Sequence, residues 1–338
     1  MNNEILLTTK NVSVAFRIDG RFYNAVYKMS LDVHRGEVLA IVGESGSGKS
    51  TFATAIMALH NPKQTKITGS IKLEGEEIVG KVGDQMATIR GKKVGMIFQD
   101  PLAALNPLMK IGFQIVEAMA VHAIYSERQQ NARMLQLLNQ VGIANPERIA
   151  NQFPHQLSGG MRQRVMIAIA IANNPDLIIA DEPTTALDVT IQAQILDLIL
   201  EVQKKKNAGV IIITHDLGVV AEIADTVVVM YAGQVVEQGP VSEIFNNPKH
   251  PYTRSLLRSI PSADTVSDEL YVIPGKVPSL NQMEHDKDLF LLRVPWMKNQ
   301  AQTVISEALA EVSPLHYVRG EAWRRFKFPD QKKEAAHD

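Results

Sequence analysis

The feature that most restricts this chain is "GESGSGKS" at 43–50, set directly after the apolar run "VLAIV" at 38–42. The pattern fits G-x-x-x-x-G-K-[ST], the phosphate-binding P-loop between a buried strand and a helix. Its glycines let the backbone turn successive N–H groups inward around anionic oxygens, and the following helix adds the partial positive charge of its N-terminus. Lys49 is expected to reach the β- and γ-phosphates of a nucleotide, and the Ser50 hydroxyl to ligate Mg²⁺. Gly43, Glu44, Ser45, Gly46, Ser47, Gly48 and Thr51 complete the expected cradle. A Gly/Ser-rich linker could carry the same letters, but not between a strand and a helix.

The rest of the chain supplies the matching framework. Runs at 37–43, 93–99, 176–182, 210–216 and 226–239 read as strands, several of them continuously apolar. That pattern is expected where helices cover both faces of a parallel sheet. Helical patterns lie between them at 50–60, 111–121, 127–141, 161–173, 191–206 and 217–224. The alternation predicts an α/β domain. From about residue 100 to 155 the strand rhythm is interrupted by a mostly helical stretch, and after "NNPKHPY" at 246–252 it is lost again. The length of 338 residues itself suggests about two domains. There are no cysteines, which excludes disulfides, thiolate metal sites and a cysteine nucleophile. A formal net charge of −1 gives no sign of a nucleic-acid partner. The Lys204-Lys205-Lys206 run reads as a solvated helix end. No apolar run approaches the ~18 residues needed to span a bilayer, and the start "MNNEILLTTK" lacks the pattern of a secretory signal.

"LIIADE" at 177–182 supplies the chemistry that a P-loop lacks alone: apolar residues followed by Asp181 and Glu182. Asp181, at the carboxyl end of a strand, is placed to hold the Mg²⁺ shell. Glu182 stands next, where a general base could orient the water that attacks the γ-phosphate.

One family unites these pieces. "LSGGM" at 157–161 resembles the signature motif of ABC-type ATPases, usually LSGGQ, and lies about twenty residues before the Asp181 strand, as in that family. Ser158, Gly159 and Gly160 expose backbone N–H groups at a helix start, a second anion-binding terminus in a chain with one P-loop. Met161 departs from the usual Gln, while Ser158 and both glycines remain. The resemblance implies further roles. Gln99 matches the glutamine that senses Mg²⁺ and the attacking water, and His215 the switch histidine at the γ-phosphate. Asp188 ends "TALD", which is similar to the loop crossing a dimer interface. Phe16 stands where the family places an aromatic that stacks on adenine, with Phe22 and Tyr23 as nearby alternatives and a core role also open. The implied fold is α/β, a P-loop NTPase with a mostly parallel core sheet, an antiparallel β subdomain, a helical subdomain at about 100–160 and a C-terminal extension. The implied mechanism places ATP between the P-loop of one subunit and the signature of another, so that a lone subunit hydrolyses poorly.

Two stretches narrow the resemblance to peptide-importer ATPases: "QDPLAALNPLMKIG" at 99–112 and "NPKHPYTRSLLRSIP" at 247–261, with "GKVPSL" at 275–280 in the same style. The implied organisation is an ATPase domain at 1–245, an extension at 246–325 and a tail at 326–338 expected to be disordered. The implied partners are a second ATPase subunit, either a paralogous chain or another copy of this one, two transmembrane permease subunits and an extracytoplasmic peptide-binding protein. The chain would sit peripherally on the cytoplasmic face of the membrane. A dipeptide, nickel or glycopeptide importer remains open as an alternative, and so does a soluble ABC ATPase acting on nucleic acid or ribosomes. Many relatives carry cysteines in the extension, in a pattern close to "CxFxxRCP", for an iron–sulfur cluster. Here the stretch is "DLFLLRVP", with Asp288 and Val294 in place of cysteines, so no such cluster is expected. The extension must then hold by packing alone or stay loose.

Overall fold

The computed structural model describes residues 4–185, 187–260, 271–297 and 308–330. In chain order the strands are β1 (Ile5–Ile18), β2 (Arg21–His34), β3 (Val38–Val42), β4 (Thr65–Leu73), β5 (Glu76–Glu77) and β6 (Val94–Ile97). They continue with β7 (Leu177–Asp181), β8 (Gly209–Ile213), β9 (Thr226–Tyr231), β10 (Gln234–Pro240), β11 (Leu309–Ser313) and β12 (His316–Arg319). Two sheets result, one ordered β2-β1-β4-β5 and the other β11-β12-β10-β9-β3-β8-β7-β6.

The central strands β9, β3, β8, β7 and β6 are parallel. Their uninterrupted apolar character has a direct cause, because both faces are buried. In β3, Leu39 and Ile41 enter one core while Val38, Ala40 and Val42 enter the other. β8 does the same, with Ile211 and Ile213 on one face and Val210 and Ile212 on the opposite one. The first core is closed by the antiparallel β1–β2–β4 layer and the P-loop helix Lys49–Ile56, through Phe52 and Ile56. The second is closed by the helices Gly159–Ala170 and Val189–Lys206 and by the helical subdomain. There Ile111, Ile115 and Met119 of the helix Ile111–Ala120 meet Leu137 and Leu138 of Glu127–Gln140.

Two expectations need correcting. The run 226–239 is not one strand but an antiparallel hairpin, β9 and β10, turned at Ala232-Gly233. Both turn residues have positive φ, 45° and 80°, the geometry of a two-residue hairpin loop. The tail expected to be disordered from 326 is packed over its first residues. Phe326 and Phe328 are buried, with Arg254 over their rings at 5.2 and 5.6 Å and Arg258 at 4.4 Å from Phe328. Residues 331–338 lie outside the described ones.

The extension is part of the same sheet. β12 pairs antiparallel with β10, Glu237 opposite Val318, and β11 pairs with β12. The helix Pro251–Arg258 and the short helix Leu289–Arg293 bring Tyr252 and Phe290 onto Tyr231 of β9, with ring centroids 4.7, 5.5 and 5.3 Å apart pairwise. Packing of this kind holds the extension where a cluster was not expected. Asp288, at the first position expected to lack its cysteine, is a buried helix cap whose Oδ1 accepts from the N–H groups of Phe290 and Leu291. Val294, at the second, is fully buried.

Candidate functional site

The parallel register builds the site. Ile41 of β3 lies opposite Ile213 of β8, Asp181 of β7 lies opposite the same Ile213, and Ala180 lies opposite Ile97 of β6. The residues that follow these four strand ends are therefore brought to one edge: the P-loop after β3, Gln99 after β6, Glu182 after β7 and His215 after β8. Ligands of open α/β sheets bind at this carboxyl edge.

The P-loop curls tightly there. Gly43 has φ 148°, and a Cβ on it would sit 2.2 Å from the carbonyl oxygen of Met230. Gly48 has φ 99° and would meet Ala25 O at 2.5 Å. Only glycine fits either position. The turn folds back on Lys49, whose Nζ donates to Gly43 O at 2.7 Å and Glu44 O at 2.9 Å. Ser47 Oγ is 3.4 Å away. Burial lowers the Lys49 ammonium from its ordinary range, against the opposing pull of Glu182, Asp181 and Glu44. Ser47 is buried, and Ser45 and Gly46 are exposed at the loop's outer edge. The Thr51 carbonyl lies 3.0 Å from His60 Nε2. Ser50 Oγ donates to Asp181 Oδ1 at 2.9 Å. Burial raises the Asp181 carboxyl from its ordinary range, while the Ser50 hydrogen bond opposes this. One buried carboxylate and one hydroxyl, both hard oxygen donors opening on the phosphate cradle, fit Mg²⁺, which typically takes few protein ligands and completes its shell with phosphate and water.

Glu182 is held through both its backbone and its carboxylate. Its backbone sits in the left-handed region at φ 46°, a strained conformation for a residue with a side chain. Its Oε2 accepts from Gln99 Nε2 at 2.9 Å and Thr185 Oγ1 at 2.8 Å, and His215 Nδ1 lies 3.5 Å from Oε1. Its N–H is tied to Ile213 O at 2.9 Å. The expected residues thus gather at one sheet edge in three bonded sets: Lys49 on its own loop, Ser50 with Asp181, and Gln99 and His215 around Glu182, with the Asp181 and Glu182 charges felt at Lys49. Thr185 is a partner of Glu182 that motif order did not single out, although it opens the "TALD" stretch.

The signature turn is elsewhere. Ser158 caps the helix Gly159–Ala170, its Oγ accepting from Met161 N at 3.4 Å. Ser158 and Gly159 are exposed, and nothing lies within 4 Å of a Cβ built on Gly159. Among the described residues no hydrogen bond joins this turn to the P-loop. Asp188 is likewise exposed and caps the helix Val189–Lys206 through Ile191 N at 3.0 Å. Phe16 lies in β1 opposite Tyr23 and packs edge-on to His60, ring centroids 5.4 Å apart. Phe22 is exposed.

A phosphate loop, a paired Ser–Asp oxygen site, a held Glu and a separate Ser-Gly-Gly helix start define an ATPase of the ABC class. Residues 26–185 match the ABC transporter family, and residues 236–288 match the C-terminal region of oligopeptide/dipeptide transporters. The oligopeptide transport ATP-binding protein OppD of Lactococcus lactis subsp. lactis (strain IL1403) is 74% identical over 332 residues, 98% of each chain. The protein of that description from Bacillus subtilis (strain 168) is 49% identical over 317 residues, 93% of this chain and 88% of its own. Among solved structures, the dimeric ATP-binding cassette MJ0796 bound to ADP and Pi matches with TM-score 0.63 and 29% identity, over 70% of this chain and 99% of its own. The chain belongs to the oligopeptide-transport ATP-binding proteins of the ABC transporter family.

Proposed function

We propose that this chain is the ATP-binding and ATP-hydrolysing subunit that powers a membrane importer of oligopeptides. Its expected partners are a second cassette of the same class, a pair of transmembrane permease subunits and an extracytoplasmic peptide-binding protein. The chain would dock peripherally on the cytoplasmic face, and no helix among the described residues is long and apolar enough to cross a membrane.

The observation that carries the chemistry is the hydrogen-bonded group around Glu182 beside the Lys49 loop. Gln99 and Thr185 hold one carboxylate oxygen and leave the other on the side of His215. In this arrangement Glu182 accepts a proton from the attacking water, and Gln99 and His215 fix its direction. Lys49 leaves its two carbonyl partners for the β- and γ-phosphate oxygens. Ser50 and Asp181, with Gln99 beside them, would hold Mg²⁺, which when bound supplies charge neutralisation on the phosphates. The Ser158-Gly159-Gly160 terminus, exposed at its first two residues, is offered to the nucleotide of the partner cassette.

Uptake in cells is the test. A strain whose only copy carries Lys49→Ala should fail to grow on peptides as sole amino-acid source. Normal growth of that strain would overturn the transport role, and co-purification with no membrane subunit would overturn the proposed partners.

A further inference from the structure

The extension reaches the P-loop itself, at Glu44. Every polar group of that residue is held. Its N–H donates to the Tyr252 hydroxyl at 2.8 Å, its carbonyl accepts from Lys49 Nζ at 2.9 Å, and its carboxylate takes both arms of Arg293. Arg293 Nη1 donates to Oε2 at 2.6 Å and Nη2 to Oε1 at 3.1 Å. The guanidinium is itself fixed. Nε donates to Pro274 O, and Nη2 also reaches Gly275 O at 3.1 Å and Ile273 O at 3.3 Å. The Arg293 side chain is only 6% exposed, so its direction is fixed by the groups packed around it.

A carboxylate in the first variable position of a phosphate loop is a liability, because it repels the triphosphate that the loop exists to bind. Its charge is felt at Lys49, whose proton it helps to hold. We propose that Arg293 is a positioning and charge-compensating residue of the nucleotide site, by which the C-terminal extension holds the Glu44 carboxylate away from the triphosphate and so sets ATP affinity. Bidentate geometry suits this task, since a planar fork fixes both oxygens where an ammonium would hold only a point. Tyr252 holds the amide of the same residue, so side chain and backbone of Glu44 are clamped by two separate elements of the extension, Pro251–Arg258 and Leu289–Arg293. The inference rests on the P-loop reading, and ATP binding by the unaltered chain tests that reading separately.

The experiment is titration of the full chain with Mg-ATP, read as Kd, beside thermal unfolding of each variant. Arg293→Gln should raise Kd about tenfold, by leaving an uncompensated carboxylate in the cradle, and the defect should shrink at high salt. Adding Glu44→Gln to Arg293→Gln should restore most of that loss, because the repelling charge is gone. Arg293→Lys, which keeps the charge, should retain more affinity than Arg293→Gln. A merely structural staple would lower the melting temperature without this pattern of rescue. An unchanged Kd in folded Arg293→Gln, or no recovery in the double variant, would overturn the proposal. Should Arg293→Gln not fold, Glu44→Asp and Glu44→Gln decide. Asp keeps the charge but falls short of the fork, so it should bind ATP more weakly than Gln, and equal affinities would overturn the proposal.

Discussion

Lowering the pH from about 7.5 to about 5.5 should destabilise the fold, because His250 stays neutral in its buried place while the same side chain in the unfolded chain takes up a proton. The imidazole is 1% exposed, and its Nδ1 accepts the N–H of Tyr252 at 3.1 Å, capping the helix that carries Tyr252 to the P-loop. Burial, helped by the nearby Arg319 charge, drops its pKa from 6.5 to about 3. The backbone N–H of His250 is held by Glu237 at 2.9 Å, and the Phe290 ring lies 6.4 Å from the imidazole. Between the two pKa values the unfolded chain binds a proton that the folded chain refuses, so stability rises with pH through this window. The contribution is complete above the unfolded value and is lost as the pH falls below it. At pH 5.5 one such group costs about 1.4 kcal/mol relative to neutral pH. For a chain of this size that corresponds to roughly 2 °C in melting temperature. The assay is thermal unfolding across this pH range for the parent and for His250→Asn, whose side-chain oxygen can cap the same N–H without titrating. Burial also lowers His122 and His285, so only the difference between the two proteins isolates His250. The parent should lose about 2 °C more than His250→Asn on acidification. Parallel pH curves would refute the reasoning, showing that the imidazole is protonated without cost.

Glu182→Gln keeps the shape of a side chain held by Gln99 and Thr185 but cannot accept a proton. Phosphate release should fall on the order of 10²–10⁴-fold while ATP binding persists and an ATP-bound dimer accumulates in sedimentation. Turnover at the parental rate would remove Glu182 from the role of base. Phe290→Ala empties the fully buried centre of the Tyr231–Tyr252 cluster and should cost roughly 3–5 kcal/mol in chemical denaturation. A loss below about 1 kcal/mol would mean that packing does not hold the extension.

The central sheet was legible because its physics is local. Val38 to Val42 must be apolar on both faces once helices cover both, and this marks a buried parallel strand without further context. The long antiparallel pair β1–β2 is hard to recognise as strands from sequence, because its burial is mixed and two bulged irregularities break the alternation between Thr9 and Val14. A signal was present in Asp19-Gly20, whose φ values of 48° and 81° make a two-residue hairpin turn between Ile18 and Arg21. The Ala232-Gly233 turn that splits 226–239 is the same device with a weaker letter. Alanine rarely takes positive φ, so the break was hidden inside an apolar run.

Site residues followed strand ends, and strand ends could be read in order along the chain. What order could not supply was contact across it. Arg293 and Glu44 are 249 positions apart, and neither fits a helical or strand period that would predict their meeting. The signature turn marks the opposite limit, since its sequence is legible and no hydrogen bond among the described residues joins it to the P-loop. The first N–H groups of Gly159–Ala170 have no intrahelical acceptor, and Ser158 satisfies the one at Met161. Open amides at the exposed Gly159 and half-buried Gly160 cost little in water but gain strongly from an anion brought to them in a closed interface. A terminus of this kind, kept open beside glycines that leave room for close approach, has physical sense once a phosphate is delivered to it from outside. The P-loop of a second cassette, presenting its own bound triphosphate, is the delivery that the proposed head-to-tail pairing provides.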